Sequence, residues 1–138
     1  MVVFGAPQKL KNHENQALEC SLEMKKKLIE LNKKWDDNKL SRYWRNHGID
    51  AITMRTGIHT GSVIAGNIGS PEMLQYSTIG DTVNVASRLE KANKEFNTEI
   101  SFSHEIYTAL EKKLFEKAKL SGEITLKGRT RPTKVYSI

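Results

Sequence analysis

Asn84 and Arg88 stand four residues apart in the stretch YSTIGDTVNVASRLE, residues 76–90. Successive helix positions turn by about 100°, so residues four apart differ by only about 40° and share a face. In a helix, the amide and the guanidinium therefore point together, away from the apolar line of Val85 and Leu89. Arg88 offers a planar fork of donors that matches phosphate oxygens, and Asn84 adds one neutral donor or acceptor. Neither is a useful acid, base or nucleophile. The pair suits stabilisation of charge on a phosphoryl group better than proton transfer. The plainer alternative is a surface arginine that bridges to Glu90 or Glu95.

Other chemistry-bearing residues are less persuasive. His59 in GIHTG is open to reading as a base or metal ligand, but a strand residue beside glycines is more often structural. His13 adjoins a helix start, His47 and His104 flank loops, and no two histidines have metal-ligand spacing. Asp81, following Gly80, reads as a helix N-cap rather than a metal ligand.

Composition narrows the partners. Twenty-two Lys and Arg against 16 Asp and Glu give a net charge of +6, as common in domains that take polyphosphates as in nucleic-acid binders. Lys25, Lys26 and Lys27 read as a solvated helix face, and no basic strand is interleaved with aromatics for stacking on bases. No nucleic-acid partner is expected. Hydrophobic content of 38% and charged content of 28% describe a soluble globular protein. The apolar runs are too short for a membrane span or a signal peptide, so no membrane contact by this domain is expected. The lone Cys20 cannot form an internal disulfide, which points to a reduced, cytoplasmic setting.

These residues must be carried by elements that the patterning predicts. At 138 residues the chain is one domain, residues 1–138. MVVFGAP reads as the end of a buried strand, and Asn12 as the cap of a long helix with a stripe of Ala17, Met24, Leu28, Leu31 and Trp35. A polar connection over 36–48 leads to a strand in DAITMRTGIHTG. SVIAGNIGSPEM reads as a strand end and protruding loop, and LQYSTIG as another strand. Asp81 or Thr82 then caps a helix buried along Val85, Leu89, Ala92 and Phe96. TEISFS is a strand, Ser103 caps HEIYTALEKK, and two or three antiparallel strands, turning at Gly122 and around Pro132, end the chain. The fold class is α+β, with helices on a mostly antiparallel sheet.

In this order FGAP, RTGIHTG, AGNIGS, YSTIGDTVNVASRLE and LKGRTRPTKVY closely resemble the class III adenylate and guanylate cyclase catalytic domain, over essentially the whole chain. The resemblance implies a ferredoxin-like cyclase fold that converts ATP to 3′,5′-cyclic AMP and pyrophosphate, with GTP as the alternative substrate. It implies two divalent cations, Mg2+ or Mn2+, and a site shared across a head-to-tail homodimer or heterodimer with another cyclase domain. Arg88 then serves the α-phosphoryl oxygens, Asn84 the ribose, Ser77 the base, and Lys127 the polyphosphate as in some members; Lys127 reads equally well as an exposed turn residue. Guanylate cyclases usually carry Cys at the position of Ser77 and many adenylate cyclases Asp or Thr, so the Ser77 hydroxyl favours adenine.

One departure stands at the front. In the family the metal-binding aspartates and a base-reading lysine precede the segment matched by Met1–Gly5. The expectation is an N-terminally truncated domain without metal ligands of its own, inactive alone but able to lend Asn84, Arg88 and Ser77 to a partner. It should also expose apolar sheet surface. The alternatives are a non-catalytic cyclase-homology module that dimerises with or regulates a competent partner, and a basic nucleotide- or RNA-binding α+β domain outside the family.

Overall fold

The computed structural model of the protein describes residues 1–125 and 132–138. In chain order the elements are α1 (His13–Asp37), α2 (Arg42–Arg45), β1 (Thr56–Ile58), β2 (Ile64–Ser70), β3 (Met73–Ile79) and α3 (Asp81–Phe96). There follow β4 (Ile100–Ser103), α4 (His104–Ala109), α5 (Lys112–Phe115), β5 (Lys119–Ile124) and β6 (Thr133–Ser137). The expected α+β arrangement is present.

Four strands form a sheet in the order β1-β4-β6-β5. β1 runs parallel to β4, and the pairs β4–β6 and β5–β6 are antiparallel. A parallel pair requires a crossover, and here the crossover contains the β2–β3 hairpin and α3. The hairpin is a separate two-stranded sheet, turned over Pro71 and Glu72, with Ser70 opposite Met73.

Every residue of β4 is buried, because helices cover both faces of the sheet. Side chains alternate along a strand. Ile100 and Phe102 join Leu18 of α1, Ile58 of β1, Ile106 of α4 and Tyr136 of β6 in one cluster. Ser101 turns the other way, to Asn93 of α3. On that side Val85 and Leu89 of α3 close over Val135 of β6, with Phe96 and Ile124 at the margin. The apolar stripe read for α3 is the one that is buried, with Val85, Leu89 and Ala92 at 2% exposure or less.

Elsewhere the chain departs from its patterning. Residues 1–7 form no strand. The buried line of α1 runs through Asn15, Leu18 and Ser21 rather than Ala17 and Met24, and Met24 and Leu31 are exposed. The sheet is narrow, so only the first half of α1 has a surface to cover. Near its far end Trp35 meets Trp44 of α2 edge to face, with ring centroids 5.6 Å apart. That one-turn helix lies within the connection read as merely polar. The loop expected at SVIAGNIGSPEM is mostly strand β2, and the strand expected over 50–61 shortens to β1. Gly122 lies inside β5 at a shift of register rather than at a turn, where a Cβ would come within 2.5 Å of the Phe96 ring.

The caps differ too. Asn12 is at the N-cap of α1 in a left-handed conformation, but its amide donates to Glu111 Oε1 at 3.1 Å rather than receiving a helix N–H. Gly80, not Asp81 or Thr82, is at the N-cap of α3, with φ 154°; at that φ a side chain would be strained. Thr82 instead donates to the Ser62 carbonyl at 2.9 Å. Ser103 holds the N-cap position of α4 without a side-chain bond to the helix.

Candidate functional site

Helix α3 carries two faces with different tasks. Its inner face lies flush on β1 at Gly57, where a Cβ would stand 2.2 Å from the Glu90 nitrogen and 2.3 Å from the Ala86 oxygen. Only a residue without a side chain admits so close a helix–strand approach. The outer face presents Asn84, exposed, and Arg88, half-buried. Their shared direction, read from spacing alone, is the direction of this face.

Arg88 lies in the wall of a pocket of about 330 Å³ between α3 and the end of β5. Lys91 and Glu95, on the same helix face, line it with Glu123 and Thr125. The bridging alternative for Arg88 does not form. Glu90 is taken by Arg55, whose Nε donates to Glu90 Oε1 at 3.0 Å. Arg88 makes no hydrogen bond or ion pair with any described residue, Glu95 and Glu123 included. The Arg55–Glu90 pair is more than a third exposed on both sides, so it contributes only about 0.2–1 kcal/mol. Arg88 and Glu90, two residues apart, are also turned to different faces of the helix.

Ser77 is on β3 rather than in this pocket. It lies opposite Gly66 of β2, where a Cβ would meet nothing within 4 Å. The hydroxyl therefore adjoins an open niche over the Gly66 backbone. On the same face of the hairpin the cross-strand pair Ile64 and Ile79 and the tip residue Met73 are 56–78% exposed. Lys127 lies outside the described residues. Thus the structure groups Asn84 with Arg88 on one helix face and sets Ser77 apart on the hairpin just before that helix.

His59 is held in place. Its side chain is 4% exposed, with Nδ1 2.7 Å from Ser103 Oγ and 3.8 Å from Glu105 Oε2. A larger cavity of about 590 Å³ runs along the outer edge of β1 between α1 and α3, with His13, Glu14, His59 and Thr60 among its lining. It takes in none of Asn84, Arg88 or Ser77, and its lining is chiefly apolar. The smaller pocket brings two cations, Arg88 and Lys91, beside two carboxylates, Glu95 and Glu123. Among the described residues, no group of three or more His, Cys, Asp or Glu is placed to hold a metal ion. Among them too, no helix is long and apolar enough to cross a membrane.

Spacing could have pointed to Lys91, three residues after Arg88 on the same face. Glu123 and Gly66 carry no such signal, because pocket wall and strand register are set by contacts between distant segments.

Comparison with known proteins is consistent across the chain. The adenylate and guanylate cyclase catalytic domain family model matches residues 1–138. Adenylate cyclase 1 of Rhizobium meliloti (strain 1021) is 32% identical over 136 residues, 99% of this chain and 19% of that protein. The receptor-type guanylate cyclase gcy-28 of Caenorhabditis elegans is 34% identical over 129 residues, 94% of this chain and 9% of that protein. The chain thus spans a fifth or less of these curated relatives. Among solved structures, the adenylyl cyclase CyaB from P. aeruginosa is similar with a TM-score of 0.67 and 30% identity, over 97% of this chain and 63% of that one. By sequence and by fold, the chain belongs to the adenylate and guanylate cyclase catalytic domain family.

Proposed function

We propose that residues 1–138 act as one partial catalytic domain that supplies the phosphate- and base-facing half of a nucleotidyl cyclase site, with ATP as substrate. The observation that carries this reading is the half-buried guanidinium of Arg88, set in a pocket wall without an ion pair to any described residue. In the reaction the ribose 3′-oxygen bonds to the α-phosphorus, the bond from that phosphorus to the β-bridging oxygen breaks, and pyrophosphate leaves. The 3′-hydroxyl proton is released in the same conversion. Arg88 holds the α-phosphoryl oxygens as charge builds on them, worth most where water is excluded. Asn84 orients the ribose, and Lys127 contacts the polyphosphate.

Ser77 faces the base. Its hydroxyl can both donate and accept, and the open floor at Gly66 leaves room for a flat ring. Relatives include cyclases of both nucleotides, so the choice of adenine rests on Ser77. A second cyclase domain, a copy of this chain or a different one, covers the exposed Ile64, Met73 and Ile79 around it.

Two divalent cations, when bound, supply Lewis-acid stabilisation of the attacking and leaving oxygens in this chemistry. The described residues assemble no ligand set for them and so do not fit that centre by themselves. Accordingly, residues 1–138 incubated alone with ATP and Mg2+ or Mn2+ yield no cyclic AMP that an Arg88→Ala change abolishes. Combined with a cyclase domain bearing the metal-binding aspartates, they turn over ATP in preference to GTP. In that assembly Arg88→Ala lowers kcat about 10²–10³-fold, the cost of removing one preorganised donor. Undiminished turnover with Arg88→Ala overturns the reading.

A further inference from the structure

Asn93 is a buried amide between α3 and the sheet, 1% exposed. Its Oδ1 accepts from Thr98 Oγ1 and from Ser101 Oγ, each at 2.8 Å. Its Nδ2 donates to the Thr56 carbonyl at 2.9 Å, with the Leu89 and Glu90 carbonyls of its own helix at 3.3 and 3.2 Å. One side chain thus ties α3 to β1 through Thr56 and to β4 through Ser101, at the seam where those strands run parallel. Such a tie is directional, unlike the apolar contacts of Val85 and Leu89 beside it, which permit sliding and rotation.

Asn93 lies nine residues beyond Asn84, about 900° or half a turn away around the helix. It therefore holds α3 from the side opposite the one that presents Asn84 and Arg88. Gly57 sets how closely the helix approaches β1, and the amide sets how it is turned. An arginine head roughly 6–8 Å from the helix axis moves about 1 Å for every 10° of helix rotation. A misplacement of that size costs on the order of 10²-fold in rate.

We propose that Asn93 is the positioning residue of the site, fixing the rotation of α3 about its axis and with it the aim of Asn84 and Arg88. This rests on the reading of Arg88 given above for its consequence in turnover, though not for its effect on the helix. The experiment has a structural arm and a kinetic arm. Residual dipolar couplings of the α3 amides in residues 1–138 report the rotation of the helix relative to the sheet. The variants are Asn93→Ala, the milder Ser101→Ala, which removes one donor to the amide oxygen, and Leu114→Ala. The last empties a core position in α5, 4% exposed and outside the contacts of α3.

Asn93→Ala is expected to turn α3 by about 10° or more, Ser101→Ala by less, and Leu114→Ala not at all. In the complemented, active assembly, Asn93→Ala then lowers kcat at least about tenfold with KM within about twofold, the pattern of an interaction that matters in the transition state. Leu114→Ala leaves kcat unchanged at temperatures where it is folded. If Asn93→Ala does not fold, Ser101→Ala carries both arms with the same ordering against Leu114→Ala. An unrotated α3, or a kcat loss in Leu114→Ala equal to that in the amide variants, overturns the proposal. So does a rotated helix with unchanged turnover, and the Arg88→Ala variant then identifies the fault. If Arg88→Ala also retains turnover, the reading of Arg88 has failed; if it does not, the positioning role has.

Discussion

At the scale of single residues, the question raised by Asn84 and Arg88 was whether they are solvated surface or a waiting anion site. The second is the reading we propose, because Arg88 pairs with neither Glu90 nor Glu95. Arg55 occupies the Glu90 carboxylate at 3.0 Å, and Glu90, two residues on from Arg88, is turned to a different face of the helix. Arg88→Lys is expected to recover only part of what Arg88→Ala loses, because an ammonium is a point charge without the planar fork; kcat in the complemented assembly measures it. The pairing of Asn84 with Arg88 was legible in the sequence, since a helix imposes its period on whatever it carries. The niche at Ser77 was not, because opposing Gly66 to Ser77 is a matter of strand register. Asn93 was half legible: an amide one position along from Ala92 in a buried stripe is conspicuous, but its partners Thr56 and Ser101 come from two other strands.

At the scale of elements, α3 is seated closely on β1 at Gly57. Gly57→Ala would drive a methyl into the helix backbone, as the distances of 2.2 and 2.3 Å imply. We expect a loss of about 1–3 kcal/mol in urea denaturation, the usual cost of overpacking, together with a displaced α3. The hairpin turn depends on pH in a definite sense. Glu72 has its carboxyl held below its ordinary value of 4.5 by a hydrogen bond from Ser70 and then by its own backbone N–H. A lowered carboxyl pKa adds stability above the unfolded value and loses it as pH falls through the folded one. The turn should therefore loosen only below about pH 4.5, and Ser70→Ala should raise the Glu72 titration midpoint seen by NMR. The α3 stripe was readable from its period because the whole helix lies on the sheet. For α1 the same logic failed, since periodicity marks a face without saying how far the surface beneath it extends.

At the scale of the whole molecule, two clusters on opposite faces of one sheet make the core, and Phe102 belongs to the larger. Phe102→Ala, at a site with no exposure, should cost about 3–5 kcal/mol by thermal or denaturant unfolding. The β2–β3 hairpin takes little part in this core. Its apolar residues Ile64, Met73, Leu74 and Ile79 are all more than half exposed, and among the described strands its two pair only with each other. Opening free energies within one protein range from near zero to the full stability, and segments with few buried contacts lie at the low end. Hydrogen exchange at β2 and β3 should accordingly be fast while β4, buried along its length, is slow. A second domain seated on the hairpin would slow that exchange before any catalysis begins, so the backbone amides beside Ser77 become a clock for assembly that needs no nucleotide to read.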